Sequence, residues 1–86
     1  MKKNKVPSRA VVLESILGER ERQDKLFGEQ NHDDAWWNIL TTEKNGDIAE
    51  EIFGQNDTKL FIELVQTAAT YFAWAECVRR RVMNGK

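Results

Sequence analysis

The longest helical pattern in this chain is DTKLFIELVQTAATYFAWAECVRRRV, residues 57–82. Its apolar side chains recur every three or four positions, the period of one face of an α-helix. They are Leu60, Phe61, Leu64, Val65, Ala68, Phe72, Ala75, Val78 and Val82. The pattern predicts one amphipathic helix of about 26 residues, roughly 39 Å long at 1.5 Å per residue.

Two further helical patterns precede this stretch. Ser8 is the expected N-cap of the first helix, and Gly28 is expected to end it because glycine accepts the positive φ of a helix C-terminus. A polar connector follows, and Asp33 or Asp34 is expected to cap the second helix. The chain therefore alternates long helical segments with short polar breaks.

The dipeptide Asn45-Gly46 interrupts the second pattern. It predicts either a turn that splits the helix or a helical glycine against which another group packs closely. Residues 54–56 form the next break, and Asp57 or Thr58 is expected to cap the third helix. With no strand pattern anywhere, the predicted fold class is all-α: an antiparallel bundle of three main helices per chain, in a single domain 1–86 whose residues 1–7 are flexible.

Composition and charge exclude several classes of protein. Eighty-six residues allow one domain, and the net charge of −1 lacks the basic excess of a nucleic-acid binder. No apolar run approaches the ~18 residues of a membrane span, and no signal peptide follows the N-terminal lysines. One His and one Cys cannot build a structural zinc site, and Cys77 is expected to be a small buried core residue. We expect a soluble, cytoplasmic protein without a membrane partner.

The aromatic content favours self-association. Eight aromatic side chains, three of them tryptophans, give more apolar surface than one three-helix subunit can bury. We therefore expect a homodimer or homotetramer that completes the helical core. The arginine run 79–81 is interpreted as a solvated helix end, which the helix dipole favours.

Carboxylates fall on two predicted helices, with Glu43 and Asp47 on the second and Glu63 on the third. Two helices that bring carboxylates to one face can hold Mg²⁺, which prefers oxygen ligands. On spacing alone, a solvated acidic face is the competing interpretation, because surface helices are rich in glutamate.

Four segments resemble the MazG-like, all-α nucleoside triphosphate pyrophosphohydrolases. They are ERERQ at 19–23, GEQNH at 28–32, WNILTTEKNGDIA at 37–49 and ELVQTAA at 63–69. The resemblance covers about residues 19–78. It implies a protein that splits nucleoside triphosphates into monophosphate and pyrophosphate, holds Mg²⁺ with E-x-x-E and E-x-x-D motifs, and works as a dimer or tetramer. Compact relatives of this kind are frequent in bacterial and phage genomes.

The resemblance also exposes departures at the implied metal site. The family's Glu-Glu-x-Gly-Glu reads here as residues 43–47, EKNGD, so that Lys44 and Asp47 occupy the first two ligand positions. Glu63 and Gln66 occupy the other two. The resemblance thus implies Asp47 and Glu63 as the metal ligands that remain, if Mg²⁺ is bound at all.

Lys44 opposes metal binding directly. A protonated amine cannot ligate Mg²⁺. It also repels the ion: two like unit charges 4 Å apart repel by about 4 kcal/mol at an effective dielectric of 20, and the double charge of Mg²⁺ doubles this repulsion. Glu43 is then the catalytic candidate, replacing the missing ligand or orienting water. Alternatively, Lys44 binds phosphate directly without turnover, or it forms a structural ion pair with Glu63 or Asp47.

Further side chains are assigned to ligand binding together with Lys44 and Gln66, namely Gln23, His32 and Trp37. Each has a structural alternative. Gln23 can form an exposed helical pair with Arg20, His32 can be a capping or surface residue, and Trp37 can be a core residue.

The expected function is nucleotide handling, with triphosphate-type ligands bound and Mg²⁺-dependent hydrolysis weakened or lost. The alternatives are an active Mg²⁺-dependent pyrophosphohydrolase and a non-catalytic helical module that acts on a protein partner.

Overall fold

The computed structural model describes residues 7–85, with side chains from Ser8 onward, and this part of the chain contains three α-helices and no strand. Helix α1 spans Pro7–Phe27, α2 spans Asp34–Gly54 and α3 spans Asp57–Met83. The all-α prediction is confirmed. Of the segment expected to be flexible, residues 1–6 lie outside the described residues.

Helix α3 is the centre of the bundle. It packs against α1 and α2, whereas no Cα atom of α1 lies within 8 Å of a Cα atom of α2 in the described chain. Helix α2 runs antiparallel to α3, since Asp34 at its start contacts Arg81 near the end of α3. The α1 side chain of Arg20 contacts Glu76, and the later Gln30 contacts Arg80, so α1 runs parallel to α3. Consecutive helices are thus antiparallel.

The core is small. Its central cluster is Trp37, Ala73 and Cys77, with Leu40 and Trp74 packed against it. Cys77 is buried and unpaired, as predicted. Such a limited core is what a short three-helix chain can supply, because a small domain buries a smaller fraction of its surface than a large one.

The helix ends follow the predicted breaks, with two corrections. Gly28 has φ of 69° and follows the last residue of α1, and Asp33 caps α2 by accepting a hydrogen bond from the Trp36 amide at 2.9 Å. Helix α1 begins at Pro7, so Ser8 lies inside the first turn, because the fixed φ of proline suits a helix start. Helix α3 is capped by Asn56 rather than Asp57 or Thr58.

The Asn56 cap has a direct cause. Its side-chain oxygen accepts a hydrogen bond from the Lys59 amide at 3.0 Å, the third residue of the helix. Asp57 instead lies in the first turn, where its negative charge interacts favourably with the positive end of the helix dipole.

Gly46 lies within the continuous helix α2, so Asn45-Gly46 is not a turn. The expectation that something packs closely on Gly46 is wrong within one chain: a Cβ atom built there meets no heavy atom of the described residues within 4 Å. We therefore expect Gly46→Ala to stabilise the protein by about 0.5–1 kcal/mol, because alanine loses less backbone entropy in a helix.

Urea denaturation at fixed protein concentration measures this effect. Gly28→Ala is the matched control and should destabilise the protein, because Gly28 has positive φ. A loss of stability in Gly46→Ala would contradict the open surroundings of Gly46.

Candidate functional site

A groove of about 610 Å³ lies over α3, between α1 and α2. Its volume is within the range of small-molecule sites, about 300–1,000 Å³. All three helices and the α1–α2 connector line it. The lining residues are Glu19, Arg22, Gln23 and Phe27 of α1, Gln30 and His32 of the connector, Trp36, Trp37, Leu40 and Lys44 of α2, and Gln66, Thr70 and Ala73 of α3.

Five side chains assigned to ligand binding from the sequence come together in this groove. They are Gln23, His32, Trp37, Lys44 and Gln66, which the chain separates by up to 43 positions (Gln23 to Gln66). The antiparallel packing of α2 on α3 brings Lys44 to the level of Gln66. The structure thus places them around one cavity large enough for a ligand.

The predicted metal ligands and catalytic carboxylate do not line the groove. Glu43 and Asp47 are exposed and do not line the groove, while Glu63 is half-buried outside it. Among the described residues, no group of three or more His, Cys, Asp or Glu side chains could hold a metal ion. Lys44 forms no ion pair with Glu63 or Asp47 in residues 8–85, so the predicted structural pair is absent.

Glu63 nevertheless has an unusual environment. One carboxylate oxygen, Oε1, is buried and has no hydrogen-bond partner among the described residues. A buried acceptor without a partner is unfavourable by about 1–3 kcal/mol. A single such carboxylate does not make a Mg²⁺ site, because this cation needs several oxygen ligands. The residues of one chain therefore do not fit the implied metal.

The charged end of the groove is built around Glu19. Both carboxylate oxygens accept hydrogen bonds from Arg22, at 2.9 Å from Nε and 2.6 Å from Nη2. Gln23 Nε2 donates to the same carboxylate at 3.2 Å. The Arg22 hydrogen bond is the main cause that lowers the pKa of Glu19; partial burial opposes it, and Gln23 and the positive charge of Lys44 add to it.

Glu19 and Arg22 were not assigned to the site from the sequence. A usable signal was present, because residues 19, 22, 23 and 27 follow the spacing of one helix face. Helix α1 has almost no apolar stripe, so a search for amphipathic helices does not single out its polar face.

Three rings form the aromatic end of the groove. His32 stacks on Trp36, with ring centroids 3.6 Å apart and planes 23° apart. Trp37 meets both rings edge-on, at 5.5 Å from His32 and 5.1 Å from Trp36. Trp37 is only 1% exposed and its indole nitrogen has no acceptor among the described residues, whereas Trp36 is 39% exposed. Of the two tryptophans, Trp36 therefore supplies the accessible aromatic surface, and Phe27, 64% exposed, also lines the groove.

Helix α3 holds the connector that carries His32. Arg80 donates to the carbonyl of Gln30 at 2.8 Å and to Oδ1 of Asn31 at 2.9 Å. The Cys77 thiol lies 3.5 Å from the carbonyl oxygen of His32, so it contacts the backbone rather than the ring. Gln30 Oε1 lies 3.1 Å from His32 Nε2 and helps to orient the imidazole.

The start of α2 is tied to α3 in a similar way. Asp34 accepts hydrogen bonds from Arg81 at 3.0 and 3.2 Å and from Trp74 Nε1 at 3.0 Å. These donors, Arg81 first, lower the pKa of Asp34 from its usual 3.8. The contact therefore stabilises the fold above that pH, and the contribution is lost as the pH falls through the lowered value.

The prediction that the arginine run 79–81 is a solvated helix end is confirmed for Arg79 and Arg81, which are exposed, whereas Arg80 is half-buried. The side chains of Arg80 and Arg81 bond to the connector and to α2, because the connector that follows α1 and the start of α2 both lie beside the end of α3. Arg20, expected in an exposed pair with Gln23, also donates to Glu76 at 2.6 Å.

We expect Arg80→Ala to lower the free energy of unfolding by about 1–2 kcal/mol, because a charged donor is removed from two acceptors. Hydrogen exchange at residues 28–33 should become faster. Arg79→Ala is the matched control, since Arg79 is exposed and forms no hydrogen bond within residues 8–85. Equal effects of the two variants would contradict a connector held by Arg80.

Comparison of the chain with protein-family models, with curated proteins and with solved structures finds no match. None of the helices described, from Pro7 to Met83, has the length and apolar content to cross a membrane.

Proposed function

We propose that this chain is a MazG-like helical protein that binds nucleotides in the groove and hydrolyses them weakly or not at all. One observation carries the proposal: a single cavity of ligand size joins the cations Lys44 and Arg22 to the exposed ring of Trp36. Cationic side chains bind phosphate oxygens, and aromatic faces stack on bases. Amide side chains of Gln23, Gln30 and Gln66 lie in the same cavity.

Weak or absent hydrolysis follows from the donor set. Metal-dependent pyrophosphohydrolysis needs an ion that activates water and neutralises phosphate charge. In one chain, Glu63 is the only one of the three proposed carboxylates with a buried, unpaired oxygen, while Glu43 and Asp47 face solvent. Lys44 adds a positive charge where the family resemblance implies a metal ligand. Nucleotide binding that is independent of Mg²⁺ is therefore favoured over catalysis.

Phosphorus NMR of a nucleotide panel with stoichiometric protein tests this proposal. We expect shifted or broadened nucleotide signals with chelator present and no pyrophosphate after prolonged incubation with Mg²⁺. Pyrophosphate that forms only with Mg²⁺ would instead identify an active pyrophosphohydrolase. Unchanged spectra for every nucleotide would overturn nucleotide binding and leave the interaction module.

Self-association is the second part of the proposal. Large apolar side chains are exposed on α2 and α3, with Phe53 88% exposed. The others on these helices with the greatest exposure are Ile39, Ile52, Ile62, Leu64, Val82 and Met83. Exposed apolar surface of this extent is typical of interaction sites. We propose that a second copy covers much of it, giving a homodimer or homotetramer.

Light scattering measures the mass directly. A monomer at micromolar concentration would contradict self-association and would favour the alternative in which the same apolar surface binds a different protein partner.

A further inference from the structure

One of the side chains that line the groove, Glu19, is itself negatively charged. Glu19 lies in the same cavity as Arg22 and Lys44 and accepts two hydrogen bonds from Arg22. A carboxylate held bidentately by a guanidinium presents the geometry in which arginine binds a phosphate. Within the groove, Glu19 therefore occupies donors that a phosphate group would use.

Glu19 also limits the positive charge available to a ligand. The charged side chains that line the groove are Glu19, Arg22 and Lys44, which together carry +1 when His32 is neutral. A terminal phosphate monoester carries about −1.5 to −2 at pH 7. Each additional phosphoryl group adds at least one more negative charge. The groove can therefore compensate about half to two thirds of the charge of a single phosphate. It leaves most of the charge of a metal-free triphosphate without a cationic partner, and removing such charge from water is unfavourable.

Among the described residues, Arg22 and Lys44 are the only Lys or Arg side chains that line the groove. Arg20 is bonded to Glu76, Asp24 and Gln23, and Arg80 is bonded to the connector, so both guanidinium groups are already paired, and neither lines the groove. The residues of the described chain do not gather ligands for a metal ion that could neutralise a polyphosphate. The charge balance is thus set mainly by Glu19, Arg22 and Lys44.

We propose that Glu19 is a specificity-determining residue that restricts the groove to nucleotides with a single phosphate group, bound without metal, in preference to nucleoside triphosphates. This inference rests on the proposed nucleotide binding and narrows its ligand class. The phosphate is held by Lys44 and by Arg22 Nη1, the guanidinium nitrogen that does not donate to Glu19, and the base lies on Trp36. Glu19 is not a catalytic residue in this proposal, because it selects the ligand only through its negative charge.

Isothermal titration with chelator, at about pH 8 where histidine is ordinarily neutral, tests the inference. The probes are the monophosphates and triphosphates of adenosine, guanosine, cytidine and uridine. For the wild type we expect the monophosphate of the preferred base to bind about tenfold more tightly than its triphosphate, because the additional phosphoryl groups lose hydration without gaining a cationic partner. Since this comparison uses the unmodified chain, it does not depend on how any variant folds.

Glu19→Gln removes the negative charge but keeps an oxygen that Arg22 can bind. We expect it to raise triphosphate affinity about tenfold more than monophosphate affinity, which would reduce or abolish the preference. Glu21→Gln removes the same charge from an exposed position on α1 that does not line the groove, and should leave the preference unchanged.

The outcomes separate the two proposals. Tight triphosphate binding by the wild type, equal to or above monophosphate binding, would overturn the ligand class while leaving nucleotide binding intact. An unchanged preference in Glu19→Gln would overturn the role of Glu19. Absence of binding by all eight nucleotides would overturn nucleotide binding itself.

Discussion

Trp37→Ala is expected to lower the free energy of unfolding by about 3–5 kcal/mol, the range for truncating a buried aromatic side chain. Trp37 is 1% exposed and belongs to the central cluster with Ala73 and Cys77. At roughly 0.05–0.15 kcal/mol per residue, a chain of this length has a total stability of about 4–13 kcal/mol. The substitution therefore removes a large part of that stability.

The neighbouring tryptophan provides the control. Trp36 is 39% exposed, so Trp36→Ala should reduce stability by less than half as much. Both variants lose the same atoms from the same helix, and urea denaturation at equal protein concentrations compares them. If Trp36→Ala proved as destabilising as Trp37→Ala, the buried position of Trp37 would be wrong.

The fold was predictable from the sequence because the strongest signals are local. The three-to-four spacing in residues 57–82 and the breaks at Gly28 and residues 54–56 depend only on neighbours in the chain. The cap of α3 was misassigned because Asn56, Asp57 and Thr58 all have capping side chains, and only the backbone conformation selects Asn56. The roles of Arg80 and Arg81 depend on what lies beside α3, which spacing does not reveal.

The candidate site was predictable in part for a similar reason. The ligand residues come from segments that carry the family resemblance, and helix packing brings them together in one groove. The resemblance also implied a metal site, yet Glu43 and Asp47 face solvent. Glu19 and Arg22 were missed because a charged pair three residues apart is common on any exposed helix.

Lys44→Ala is expected to weaken nucleotide binding in chelator by about 10- to 100-fold, since a charge-assisted hydrogen bond contributes about 1.5–3 kcal/mol. The thermal stabilisation given by nucleotide should disappear with it, because ligand stabilisation depends on the ratio of ligand concentration to Kd. Lys59→Ala is the matched control. Lys59 is exposed at the start of α3 and does not line the groove.

Lys44→Glu separates the binding and hydrolase hypotheses more sharply. It places a carboxylate where the family resemblance implies a metal ligand, and it puts a negative charge beside Glu19 in the groove. A binder that uses Lys44 for phosphate should lose nucleotide more completely than in Lys44→Ala, because like charges now repel. A weakened hydrolase should instead release more pyrophosphate with Mg²⁺, because a ligand has been restored. Increased turnover in Lys44→Glu would therefore contradict the binder, and unchanged affinity in Lys44→Ala would remove Lys44 from the phosphate site.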